Sequence, residues 1–222
     1  AASDVYKRQP LYNLDVIRAI DTFVVENEKS ARKFIKQVCP EKVQADLDIY
    51  ILNKDTEPEE MLDLIKLFDQ NKTIGIISEA GLPAVADPGA QLVKVAQQKR
   101  IQVVPLVGPS SILLALMASG MNGQNFAFHG YLPIDKTERN KKLAHLEAES
   151  AKTGIAQIFM ETPYRNNQMV DDLTKILRAE TKICVACHIT LEDEDIRTLS
   201  IKEWKNEKYD FHKRPAIFVM QA

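Results

Sequence analysis

The stretch KTIGIISEAGLPAVADPGAQLVKVAQQKRIQVVPLV, residues 72–107, carries the pattern on which the fold turns. Its opening, KTIGIISE (72–79), is a short isoleucine-rich apolar run of strand length. A loop follows, SEAGLPAVADPG (78–89), with two glycines, two prolines and two carboxylates in a few residues. GAQLVKVAQQKR (89–100) then has helical periodicity, and IQVVPLV (101–107) predicts another strand. Strand, helix and strand in that order make a βαβ unit. Its strands run parallel, and the loop opens at their carboxyl edge, where open α/β sheets bind ligands.

The alternation continues on both sides. DTFVVEN (21–27) and LDIYILN (47–53) predict strands. EKSARKFIKQV (28–38) predicts a helix with Ala31, Phe34, Ile35 and Val38 on one face, and EPEEMLDLIKLFDQ (57–70) another, with a proline near its start. GPSSILLALMASG (108–120) predicts a helix entered through Pro109. Near Met121–Asn125 the pattern changes. NFAFHGYLP (125–133) and GIAQIFMETP (154–163) predict strands, and KTERNKKLAHLEAES (136–150) and YRNNQMVDDLTKILRAE (164–180) predict helices. KICVACHIT (182–190), IRTLSIKEW (196–204) and RPAIFVMQA (214–222) read as three more extended segments. The expectation is two α/β domains, 1–122 and 123–222. Leu11 to Ile20 already reads as a helix, where a strand would ordinarily lead in. The first strand of the first domain is therefore expected to be missing, or replaced by the residues ahead of Leu11.

Of 222 residues, 45% are hydrophobic and 27% charged, which suits a packed core. Lys and Arg number 29 against 31 Asp and Glu, a net charge of −2 that excludes a broad basic surface and leaves room for a local one. Two basic clusters stand out, Arg32, Lys33 and Lys36, then Arg139, Lys141 and Lys142; each alone reads as a solvated helix face. Cys184 and Cys187 are spaced C-x-x-C inside a strand-like run with no second pair. They read as structural thiols in a reducing cytosol, and no metal site is expected. No apolar run approaches membrane-spanning length, so a cytoplasmic protein without a membrane partner is expected.

Four strand ends are rich enough to carry chemistry. In EAGLPAVADPG, Gly81 admits close approach to the backbone while Pro83 and Pro88 stiffen the path. In VGPSS (107–111), Ser110 and Ser111 offer hydroxyls at a helix start, or simply a cap. In HGYLP (129–133), His129 and Tyr131 either face a cleft or pack as linker residues. In METPYR (160–165), the spacing favours Arg165 pairing with Glu161 to hold the turn over a catalytic role. There is no Walker lysine and no Ser, His and Asp order.

In this order the four loops resemble the tetrapyrrole methylase superfamily of S-adenosylmethionine-dependent methyltransferases. They look most like its bacterial branch that 2′-O-methylates a cytidine ribose of small-subunit ribosomal RNA. SEAGLPAVADPG is similar to that branch's S-D-A-G-T-P-x-x-S-D-P-G, and VVPLVGPSS to V-V-P-L-P-G-P-S-A. FAFHGYLP is similar to F-x-x-x-G-F-L-P, METPYR to Y-E-S-P-H-R and, more weakly, VENEK (25–29) to A-E-D-T-R. The resemblance implies two α/β domains with S-adenosylmethionine in the cleft between them, usually in a homodimer. It implies cofactor contacts from Ala80, Gly81, Leu82 and Val85, from Ser110, Ser111 and Ile112, and from Met160, Ala186 and Cys187. A base for the acceptor hydroxyl would come from Glu79, Glu26 or Glu161, all at strand ends. Asn27, Arg32, His129, Tyr131 and Arg165 would meet the substrate, ribosomal RNA or the small ribosomal subunit.

Departures from the branch bear on the acceptor more than on the cofactor. Only YNL (12–14) remains of a P-x-G-N-L loop, H-R has become YR, and the small helical extension that many members of the branch carry is expected to be absent after PAIFVMQA. Two alternatives stay open: methyl transfer to a small tetrapyrrole-like acceptor, and a cofactor-binding module without turnover.

Overall fold

The computed structural model describes residues 9–70 and 72–222. The residues ahead of Gln9, on which the expectation of a missing or replaced strand partly falls, lie outside the described residues. The chain divides into two compact units, Ala1–Pro109 and Ser110–Ala222.

The first unit contains α1 (Leu11–Ala19), β1 (Thr22–Val25), α2 (Glu28–Val38), β2 (Asp48–Ile51), α3 (Pro58–Lys66), β3 (Ile74–Ile77) and α4 (Gly89–Gln98). Its sheet is parallel, in the order β2-β1-β3. All four residues of β1 are buried, as expected of a central parallel strand covered on both faces. Alternation divides them. Phe23 and Val25 join Ile17, Ile20, Ala31 and Ile35 under α1 and α2, while Val24 joins Leu64, Leu67 and Leu92 under α3 and α4. Local signals set the helix starts: Asn27 accepts from Ser30 N at 3.0 Å to cap α2, and Glu57 and Glu60 form a capping box around Pro58 at the start of α3.

One expected strand is not formed. Residues 101–107 join no ladder among the described residues, and Val104 and Val107 stay 60% and 77% exposed. Pro105 gives the segment a residue without an N–H to donate, and no described strand lies hydrogen-bonded beside it.

The second unit contains α5 (Ser111–Ser119), β4 (Phe126–Tyr131), α6 (Lys136–Thr153), β5 (Ala156–Met160), α7 (Asn166–Ile176), β6 (Lys182–Cys187), β7 (Asp195–Ser200), α8 (Ile201–Trp204) and β8 (Ala216–Gln221). The strand order is β4-β5-β8-β6-β7, with β4 and β5 parallel and the other pairs antiparallel. Helices α6, α7 and α8 close one face over Phe159, Val185, Cys187 and Phe218. On the other face Ala115 and Leu116 of α5 pack with Ile158, Cys184, Ala186, Ile217 and Val219. Cys184 and Cys187 therefore point to opposite faces, both buried as free thiols.

Two expectations change here. The division falls at Pro109 and Ser110 instead of 122/123, because α5 covers the second sheet. And 196–204 is not one extended segment: Ser200 ends β7 and opens α8 through a capping box with Glu203.

Candidate functional site

The sequence-derived site residues fall in both units, and each set is described by itself. In the first unit they gather at the carboxyl ends of β1 and β3. Gly81, Ala84 and Ala86 all sit in the left-handed region, at φ 75°, 66° and 55°. Alanine seldom adopts that conformation, and residues held in it cluster at ligand clamps. The holding group is Asp87, whose Oδ1 accepts from Ala84 N at 3.0 Å and from Gly89 N at 2.7 Å. Ser78 Oγ donates to the Gly81 carbonyl at 3.2 Å. A Cβ built on Gly81 meets nothing within 4 Å, so the loop's inner edge is bare main chain. Ala80 and Val85 are exposed. Leu82 reaches the neighbouring loop, where its Cδ2 lies 3.2 Å from the place a Cβ on Gly108 would take. That second loop is pinned by Asn13, whose Nδ2 donates to the Val107 carbonyl at 2.9 Å. Asn13 Oδ1 is buried with no hydrogen-bond partner.

Three carboxylates surround this loop. Glu26 Oε1, just past β1, accepts from Glu79 N at 2.8 Å, and Ser30 Oγ donates to Glu79 Oε2 at 3.3 Å. Burial pushes the Glu26 carboxyl above its ordinary range, and the carboxylates of Asp87 and Glu79 push it the same way against the Glu79 N–H bond. Of the proposed substrate residues, Asn27 is occupied as the α2 cap. Arg32 pairs with Glu28 at 2.8 Å and donates to the Gln44 carbonyl at 2.5 Å. Asp87 is the residue that sequence reasoning passed over. Its signal was available: an aspartate two positions before a helix-opening glycine is a residue that bonds back onto its own loop.

In the second unit Ser110 Oγ caps α5 by accepting from Leu113 N at 3.5 Å; Ser111 is exposed and Ile112 packs partly onto the sheet. Met160 is half-buried at the end of β5. Beyond it, Glu161 is only 4% exposed, with Oε1 accepting from Arg165 Nη2 at 2.5 Å and Thr162 N at 2.6 Å. Glu161 is thus the buried half of an ion pair that holds the turn, not a base open to an acceptor. Ala186 and Cys187 lie inside the sheet on β6. Their side chains lie in the two cores, burial pushes the Cys187 thiol up to about 11, and both residues are laddered to β7 and β8. Neither offers a side chain to a ligand. His129 bonds to Gln157 Oε1 at 2.5 Å, and Gln157 Nε2 donates to Glu149 at 3.0 Å, a chain internal to this unit. Tyr131 is exposed. Arg139, one of the basic residues considered for RNA, is buried against Asp172. Among the described residues no cluster of His, Cys, Asp and Glu is arranged to hold a metal ion.

A family model described as Tetrapyrrole (Corrin/Porphyrin) Methylases matches residues 11–205. Ribosomal RNA small subunit methyltransferase I of Vibrio cholerae serotype O1 is 30% identical over 190 residues, covering 86% of this chain and 63% of that protein. The protein of the same name from Bacillus subtilis strain 168 is 30% identical over 198 residues, covering 87% and 64%. The chain thus spans less than two thirds of these curated relatives. Among solved structures, diphthine synthase superposes with a TM-score of 0.68 at 15% identity, covering 97% of this chain and 85% of that one. The methyltransferase CobJ superposes with 0.64 at 12%, covering 97% and 88%. At such identities these two likenesses speak for the fold alone.

Proposed function

The chain belongs to the tetrapyrrole (corrin/porphyrin) methylase family, and we propose that it transfers a methyl group from S-adenosylmethionine to a ribose 2′-hydroxyl of ribosomal RNA. The observation that carries the reading is the loop at 81–86, with three left-handed residues, of which Ala84 is held by Asp87 and Gly81 by Ser78. Its residues fit an adenosyl sulfonium ligand. Bare main chain at Gly81 lets a bent ligand lie close, Val85 and Leu82 supply apolar contact, and Asn13 Oδ1 is an unused buried acceptor. The cofactor brings a methyl group already activated on a positive sulfur, so the protein's task is alignment, exclusion of water and removal of one proton. Glu26 suits the last task best. A carboxyl held above its ordinary range is a better match to the proton of a hydroxyl near neutral pH. The names of the two relatives support ribosomal RNA as the acceptor. A homodimer and a cytoplasmic setting complete the proposal. α5 supports the former by leaving Leu113 and Met117 exposed on a helix that is apolar nearly all round.

Titration calorimetry with S-adenosylhomocysteine, then methyl transfer from labelled cofactor to small-subunit RNA, tests the proposal. Binding followed by transfer that weakens steeply with salt supports it. Salt-insensitive transfer to a small acceptor would replace the RNA, and absence of cofactor binding would remove the central claim. A sharper check is Gly89→Ala. The added Cβ would lie 2.7 Å from Asp87 Oδ1 and 3.2 Å from Ile76, and would drive off the carboxylate that holds Ala84. Cofactor affinity is expected to fall about ten-fold or more, the loss of a charge-assisted hydrogen bond, although alanine favours the helix. Wild-type affinity in this variant would show that the loop does not depend on Asp87.

A further inference from the structure

Beyond β5 the chain makes a tight turn, Pro163–Arg165, that presents Tyr164 with 68% of its surface exposed. Burial explains nothing about so open an aromatic. Its ring meets His212 edge-on, with centroids 6.0 Å apart at 75°. The two rings belong to separate segments, and those segments are laced together. Lys213 N donates to the Pro163 carbonyl at 2.9 Å, Phe211 N to Asn167 Oδ1 at 2.7 Å, Asn167 Nδ2 to Asp210 Oδ1 at 3.1 Å and Asn166 Nδ2 to the Arg214 carbonyl at 2.6 Å. From below, the buried Phe211 stacks on Tyr209 at 5.7 Å and meets Trp204 edge-on. Lys213 takes the left-handed conformation at φ 60°, a cost that the lacing sustains.

We propose that Tyr164 and His212 form a stacking platform for an unpaired base of the RNA, with Lys213, the residue after His212, as the cation for its phosphate. The inference rests on the reading of RNA as the acceptor. An exposed aromatic ring set against a second ring, with a lysine next in the chain, matches what single-stranded RNA asks of a protein, a surface for the base and charge for the phosphate. A protein partner would want apolar neighbours around the tyrosine, whereas the side chain that its ring meets is His212, followed in the chain by Lys213. The hydrogen bonds matter because a ring ordered in advance loses less freedom on binding. The platform follows directly on Met160 and Glu161, so a base held there belongs to the same strand end as the site.

The test is the affinity of the full chain for a fluorescein-labelled single-stranded oligoribonucleotide, measured across salt concentrations. Tyr164→Ala is expected to weaken binding about ten-fold with the salt slope unchanged, since stacking releases no counterions. Tyr164→Phe should retain wild-type affinity, and Lys213→Ala should lower the slope by about one. Unchanged affinity in Tyr164→Ala would overturn the platform, as would Tyr164→Leu binding as well as Tyr164→Phe. Titration of S-adenosylhomocysteine on the same variants separates the two readings. RNA held through Tyr164 by a chain that binds no cofactor would sink the methyl-transfer proposal and leave the platform standing.

Discussion

Glu26→Gln is expected to slow methyl transfer by about 10²-fold or more, the usual worth of a general base, while leaving S-adenosylhomocysteine affinity close to wild type. Glutamine keeps the bond from Glu79 N, because its carbonyl oxygen can accept where Glu26 Oε1 does at 2.8 Å. The same change should raise the thermal midpoint at neutral pH. Burial, then Asp87 and Glu79, lift the folded-state carboxyl above its unfolded value, so the folded state holds that proton more tightly. As pH rises from the ordinary glutamate range through the folded pKa, ionisation costs the folded state and stability falls. The variant escapes that loss. Its advantage should therefore be present above this window and vanish below it. Wild-type activity should rise with pH over the same window, and the residual rate of Glu26→Gln should not. Glu79→Gln is the control, since Glu79 is exposed and bonded to Ser30. A pH-dependent, near wild-type rate in Glu26→Gln together with a collapse in Glu79→Gln would transfer the role to Glu79.

Much of this was legible in the residues before any coordinates. Local rules govern a buried parallel strand such as β1, a capped helix such as α2 and a glycine-proline loop, and those elements lie where the pattern puts them. Questions of partnership are different in kind. The apolar run 101–107 looks like a strand, yet a strand exists only when a neighbour supplies a ladder. GPSSILLALMASG announces a helix, but a helix apolar nearly all round does not say which sheet it covers. Ala186 and Cys187 lie at a promising strand end, and only the packing of both faces shows that their side chains are spent on the core. Glu161 and Arg165 were paired by spacing alone, because four residues across a tight turn is a local relation. Asp87 was legible in the same way, as an aspartate just ahead of a helix, yet its joint hold on Ala84 and Gly89 needed the coordinates to be seen.

Arg139 shows most sharply what a charge pattern conceals, and breaking its pair should give the largest loss of stability in the molecule. Asp172→Ala is expected to cost about 3–5 kcal/mol, enough to lower the melting point of a unit this size by on the order of 10 °C or more. The guanidinium and the carboxylate are 7% and 1% exposed. Arg139 donates from Nε and Nη2 to Asp172 Oδ2 at 3.1 and 2.7 Å, and from Nη1 to the Pro133 and Ile134 carbonyls at 3.1 and 2.7 Å. Removing the carboxylate leaves a positive charge out of reach of water with only carbonyl dipoles to answer it. The magnitude belongs to that stranded charge and not to the pair, so Arg139→Met with Asp172→Leu should recover most of the loss. The double variant still gives up the two carbonyl bonds that fix the end of HGYLP, and Tyr131 at the same end should become more mobile in hydrogen exchange. Its RNA affinity should keep the wild-type salt slope, because a buried, paired guanidinium releases no counterions when a phosphate arrives. A thermal melt of the three proteins decides the matter. A double variant no more stable than Asp172→Ala would mean that the carbonyl bonds, and not the charge, hold this corner of the fold.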